Sequence, residues 1–312
     1  MTILGKLSLK KINNEKVKKI HLPKVDTRPI RGYNVCPELY SNVYFCARKK
    51  SGKTSALFKM LKACMGKDTK LVVFCSTVYK DPNWIEIRRY FENLDIDVEI
   101  HTSIRDDGED QLLKFVEELN EDAINKEGDE LDEPEVEKVN PNSCDNILQR
   151  LRNMNSNPRI FVEEKEEEQD KPKKKRKSKY QAPEYIIVFD DLADELKTPS
   201  LFTLLKKNRH YKTKIIISSQ WINDLFPQSR KQLDLIMLFK GFNEKKLEEI
   251  HKDCDTRVPL ETFLKIYKIA TKKPFSFLYI DTRSDTFRRN FNREFVIKDD
   301  EDEDQNDSVS DI

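Results

Sequence analysis

The residues best placed to do chemistry are Ala47, Arg48, Lys49, Lys50, Ser51, Gly52, Lys53 and Thr54, with Ser55 next in line. They follow the apolar run Val43, Tyr44, Phe45 and Cys46 and precede Leu57, Met60, Leu61 and Cys64, which share one helical face. Strand, tight turn and helix in that order make a phosphate-binding loop. Amides at a helix N-terminus converge on an anion only where the preceding turn carries no bulk at its tightest point. Gly52 supplies that freedom, Lys53 is placed to reach the β- and γ-phosphates, and the Thr54 hydroxyl to ligate Mg²⁺. ATP with Mg²⁺ is therefore the expected ligand. Ala47 stands where the strict pattern has glycine, and its β-carbon is tolerable if φ stays negative. A lysine-rich turn before an ordinary helix is the plain alternative.

A second candidate is the apolar run Tyr185, Ile186, Ile187, Val188, Phe189, which ends in Asp190 and Asp191. Continuous apolarity suits a strand covered on both faces. Asp190 is expected to hold the Mg²⁺ hydration shell, and Asp191 to orient and deprotonate the attacking water, with a shorter reach than glutamate. Capping of the following helix is the competing role for this pair. A third apolar run, Ile215 to Ile217, leads through Ser218 and Ser219 to Gln220, an amide able to touch both γ-phosphate and water. Arg209 and Arg230 flank that strand as candidates for a guanidinium that neutralises transition-state charge, in this site or a neighbouring subunit's.

These residues need a scaffold of alternating strands and helices. Strands are expected at 70–75, 97–101, 185–189, 214–218, 235–239 and 275–280, with helices near 84–94 and 112–124. The pattern predicts an α/β fold, a doubly wound, mostly parallel sheet with its ligand site at the carboxyl ends of the strands. Residues 1–40 read as an N-terminal arm and 41–285 as one core. An insertion at about 127–182, too charged to bury itself, interrupts that core. Residues 286–312 form a C-terminal segment with an acidic tail.

Over 312 residues, 57 Lys and Arg balance 56 Asp and Glu, so the net charge of +1 names no partner and only local charge informs. The six cysteines form no C-x-x-C pair, and the four histidines show no metal-ligand spacing. No window approaches the roughly 20 apolar residues of a membrane span. The expectation is a soluble, intracellular protein. Trp84, Tyr90 and Phe91 suit either packing against the sheet or stacking on a base.

Taken together, the loop at 47–54, the Asp190–Asp191 strand end, Arg209-His210, Ser219-Gln220 and Trp84 after Asp81-Pro82 resemble the DNA-packaging ATPases of large eukaryotic DNA viruses, virophages and polinton-type elements, within the FtsK/HerA group of P-loop motors. That resemblance spans about residues 40–285. It implies an additional-strand P-loop fold, a homo-oligomeric ring, and ATP-driven movement of double-stranded DNA into a capsid. Lys53 and Thr54 would then bind nucleotide and Mg²⁺, Asp190 and Asp191 run hydrolysis, and Gln220 sense the γ-phosphate. The departures are Ala47, the basic Arg48, Lys49 and Lys50, and the long charged insertion. Other readings are a different P-loop NTPase, such as a helicase, or a virion component with a vestigial loop. The lysine-rich residues 171–179 resemble a nuclear-localisation signal for an import receptor, and would equally bind DNA phosphates. The host nucleus or a viral factory, with association to the virion, is the matching location.

Overall fold

The computed structural model describes residues 26–132 and 178–297. Strand β1 (Asn42–Cys46) leads to helix α1 (Lys53–Cys64), and β2 (Lys70–Cys75) to α2 (Pro82–Glu92). Strand β3 (Val98–His101) passes through a hairpin, β4 (Arg105–Asp106) and β5 (Glu109–Asp110), into α3 (Gln111–Asp132). The chain continues as β6 (Tyr185–Asp190), α4 (Pro199–Lys207), β7 (Thr213–Ser219), α5 (Pro227–Arg230) and β8 (Leu235–Phe239). It closes with α6 (Glu244–Cys254), α7 (Leu260–Ala270), β9 (Phe277–Asp281), β10 (Thr286–Arg289) and β11 (Arg293–Glu294).

Nine strands form one sheet in the order β11-β10-β9-β8-β1-β7-β6-β2-β3. From β8 to β3 every pairing is parallel, and β9, β10 and β11 add antiparallel strands at one side. Strand β7 lies between β1 and β6, which makes this the additional-strand form of the P-loop NTPase fold. Helices cover both faces. Leu57, Met60, Leu61, Trp84 and Phe91 pack with Val43, Phe45 and Ile186 on one side. Leu112, Phe115, Leu201, Leu247 and Phe263 pack with Tyr44, Ile187 and Ile215 on the other. Burial on both faces is why the central strands are apolar throughout.

Two register facts position the site. Cys46 pairs with Ser219, and Asp190 pairs with both Ser218 and Cys75, so the ends of β1, β7, β6 and β2 lie level at one edge.

Three local expectations change. Helix α3 runs on to Asp132, past the point where the insertion is expected to begin. Its buried Leu112, Phe115, Val116 and Leu119 anchor it, and Tyr185 Oη donates to Asp122 at 3.1 Å. At the far end of that interval, Gln181 bridges Ile30 of the arm. The strand expected from 275 begins instead at Phe277, because Phe275 turns outward with φ 59°. Residues 1–25, the charged blocks within 133–177, including most of the lysine-rich run, and the acidic tail from 298 lie outside the described residues.

Candidate nucleotide site

The loop between β1 and α1 is built as the motif requires, with one substitution of roles. Ala47 is fully buried and extends the β1–β7 ladder, its amide donating to Ser219 O at 3.0 Å. It is not among the positive-φ residues, so this position has no need of glycine. The left-handed conformations fall at Lys50 (φ 62°) and Gly52 (φ 90°). Holding lysine there costs about 1 kcal/mol. A β-carbon on Gly52 would come within 3.2 Å of Phe275 Cδ1. Ser51 Oγ is buried without a hydrogen-bond partner among the described residues, an unmet hydroxyl within the loop. Arg48, Lys49, Lys50 and Ser55 are exposed, and Thr54 is half-buried.

Lys53, the first residue of α1, points across to the end of β6. Its Nζ lies 2.8 Å from Asp190 Oδ1 and 3.1 Å from Asp191 Oδ1. Burial pulls the ammonium down, but the two carboxylates outweigh it and leave it above the ordinary lysine range. Asp190 is almost wholly enclosed, and its second oxygen accepts from Trp84 Nε1 at 2.8 Å. Trp84 reaches it because β2 and β6 end level and α2 starts soon after β2, with Asp81 accepting from the Asn83 amide and Pro82 in the first turn. Tryptophan here belongs to the core, being 1% exposed, and to the site at once. Phe91 is buried beside it, while Tyr90 is 40% exposed.

Asp191 adopts φ 56°, a conformation that aspartate tolerates better than most side chains. Its carbonyl accepts from Ser76 Oγ at 3.1 Å, and its carboxylate is half-exposed. A cavity of about 440 Å³ opens beside it, lined by Lys49, Ser76, Asp191, Ser219, Gln220 and Trp221. Gln220 is therefore brought to the same cleft as Asp191. The donor set of a threonine hydroxyl and a carboxylate oxygen suits a hard cation such as Mg²⁺. Lys53 supplies positive charge against Asp190, which such an ion would provide with nucleotide bound.

The two arginines are not brought there. Arg209 is exposed in the turn before β7, at the opposite end of that strand from Gln220, roughly 20 Å away at the rise of a β-strand. Arg230 is enclosed and committed to Asp253 Oδ2 at 2.9 Å and to the Leu225 carbonyl. Three residues outside the sequence-derived set join the site: Ser76, Phe275 and Trp221. Trp221 carries Lys246 Nζ 3.1 Å from its ring centroid and Arg48 at 5.8 Å. The adjacency of Trp221 to Gln220 in the sequence is the signal for its presence.

No protein-family profile matches the chain. It is 26% identical to uncharacterized protein 075L of Invertebrate iridescent virus 6 over 133 residues, which are 40% of this chain and 52% of that one. The chain thus spans about half the length of the curated relative it matches. Among solved structures it is similar to the genome packaging NTPase B204 of Sulfolobus turreted icosahedral virus 2 in complex with AMPPCP, 17% identical, covering 81% of this chain and 98% of that one, with a TM-score of 0.46. A viral packaging NTPase stands among its neighbours. Another is the conjugation coupling protein TcpA of pCW3 with ATPγS, 13% identical over 86% of this chain and 63% of that one, TM-score 0.43. Among the described residues no helix is long and apolar enough to cross a membrane.

Proposed function

We propose that this chain is an ATP-hydrolysing motor that moves double-stranded DNA, packaging a viral genome into a capsid as a homo-oligomeric ring. The observation that carries the reading is Lys53 at the start of α1 joined to both Asp190 and Asp191, with Gln220 at the tip of the strand between. A lysine that merely ended a turn would have no reason to be drawn into a nearly enclosed aspartate. In this reading Lys53 leaves the carboxylates for the β- and γ-phosphates when nucleotide enters, and the loop amides after Ala47, whose own amide is spent on Ser219, hold the phosphate oxygens. Asp190 and Thr54 hold Mg²⁺, which when bound neutralises charge on the phosphates. Asp191 orients and deprotonates the water, and Gln220 reports the γ-phosphate to β7. Arg209, remote from its own site, serves a neighbouring subunit. Arg230 would have to leave Asp253 to take part. A capsid component, the host nucleus or viral factory, and an import receptor at 171–179 complete the proposal.

Steady-state ATP hydrolysis with and without duplex DNA tests it, with Lys53→Ala as the blank. DNA-stimulated hydrolysis absent from the variant supports a DNA-coupled motor. Hydrolysis equal in both proteins would reject the site.

A further inference from the structure

Phe275 sits in a place that neither packing nor turn chemistry explains. The Ser276 amide donates to the Lys273 carbonyl at 3.3 Å, closing a turn with Pro274 and Phe275 at its centre. Proline followed by a residue of positive φ is a turn whose third position ordinarily belongs to glycine or asparagine. Here phenylalanine holds φ 59° and is 72% exposed. For a bulky side chain that backbone is a genuine outlier, and strain of this kind persists where a site uses it.

Its position supplies the use. Strand β9 runs antiparallel to β8 with Phe277 beside Phe239, so the turn before it lies at the edge that holds the phosphate-binding loop. The ring approaches Gly52, within 3.2 Å of where a β-carbon would stand. Asp190, Asp191 and Gln220 lie on the β7 and β6 side of that loop, so the terminal phosphate points that way. The nucleoside end must then leave toward β8 and β9, where Phe275 stands beside the exposed Lys272 and Lys273.

We propose that Phe275 is the stacking platform for the nucleobase, held outward by its left-handed backbone to present a ring face beside the loop. The inference rests on the nucleotide-binding reading above. A ring face stacks on any base without reading its hydrogen-bonding edge, so this contact would not separate adenine from guanine.

Calorimetric titration of the full-length protein with ATP, GTP and inorganic tripolyphosphate, each with Mg²⁺, tests it. Phe275→Gly is the informative variant, because glycine fits the positive φ and keeps the turn. It should weaken ATP and GTP alike, on the order of tenfold, as expected for one lost base–aromatic contact. Tripolyphosphate affinity should stay where it is and the melting temperature should not fall, since glycine relieves the strained φ, and Phe275→Tyr should bind ATP like the wild type. ATP affinity unchanged in Phe275→Gly would overturn the proposal. So would an equal loss for tripolyphosphate, which would show that the ring supports the loop and not the base. Wild-type protein that binds neither ATP nor tripolyphosphate would overturn the nucleotide reading itself, and binding of both with no response to the variant would overturn the stacking role alone.

Discussion

Trp84 and Asp190 are joined by a 2.8 Å hydrogen bond from the indole Nε1 to Oδ2, while Lys53 takes the other carboxylate oxygen. The indole donor cannot follow the carboxylate if it turns, because Trp84 is locked in the core. It fixes the plane in which Asp190 offers Oδ1. Trp84→Phe removes a hydrogen bond to a charged group, of about 1.5–3 kcal/mol. We expect hydrolysis to fall about tenfold or more and the Mg²⁺ concentration for half-maximal rate to rise, with nucleotide binding in the absence of Mg²⁺ unchanged. Rates measured across a Mg²⁺ titration check this, and superimposable curves would show that the indole does not position the carboxylate.

Asp191 combines a left-handed backbone with a proposed catalytic carboxylate. Asparagine accepts that conformation and alanine does not, so the two substitutions separate fold from chemistry. Asp191→Asn should keep the wild-type melting temperature and ATP affinity yet lose hydrolysis by roughly a hundredfold or more, the scale of a missing general base. Asp191→Ala should lose the same activity and also about 1 kcal/mol of stability. Thermal melts paired with single-turnover hydrolysis distinguish them. Asp191→Asn turning over ATP at the wild-type rate would take the base role away from this residue.

Much of this site is legible in the sequence because its parts are local or doubly buried. Gly52, Lys53 and Thr54 announce themselves between a strand and a helix. The runs ending at Asp190 and Ser219 are apolar throughout because helices cover both sheet faces. What the sequence hides is what the sheet register brings together. Trp84 meets Asp190 only because β2 and β6 end level, and nothing near residue 84 encodes residue 190. Phe275 reads as the first apolar residue of a strand, since periodicity cannot show that its φ is positive. Lys214 reads as the polar start of a strand, yet it is 1% exposed and its partners come from the arm. Arg230 looks available until α6 supplies Asp253.

The buried Lys214 gives a prediction about pH. Its Nζ lies 2.8 Å from Cys36 Sγ, 2.6 Å from the Glu38 carbonyl and 3.1 Å from Ser41 Oγ, tying the arm to β7. A hydrogen bond from Cys64, together with the Lys214 ammonium and against the pull of burial, holds the Cys36 thiol down at about 5. An unfolded thiol titrates near 8.5. With the folded value depressed, the stability from this group is fully present above about pH 8.5 and is lost as pH falls toward 5. Melting temperatures of wild type and Cys36→Ala should therefore lie furthest apart above pH 8.5 and draw together toward pH 5. A gap that does not change over that range would mean Cys36 is not a thiolate in the folded protein.

The two arginines make opposite predictions about assembly. Arg209 is exposed and roughly 20 Å along β7 from Gln220, too far to serve its own site, and in the proposed ring it would serve a neighbour's. Arg209→Ala should leave ATP affinity intact and lower hydrolysis by about a thousandfold, as for a missing arginine finger. Mixed with Lys53→Ala, it should recover part of the rate, because rings then contain intact Lys53 sites facing intact Arg209 residues. Arg230→Ala breaks the enclosed pair with Asp253 and should lower the melting temperature, by roughly 3 kcal/mol of stability, and its residual activity should not respond to mixing. Hydrolysis by the mixture no greater than the sum of the separate variants would remove Arg209 from the neighbouring site.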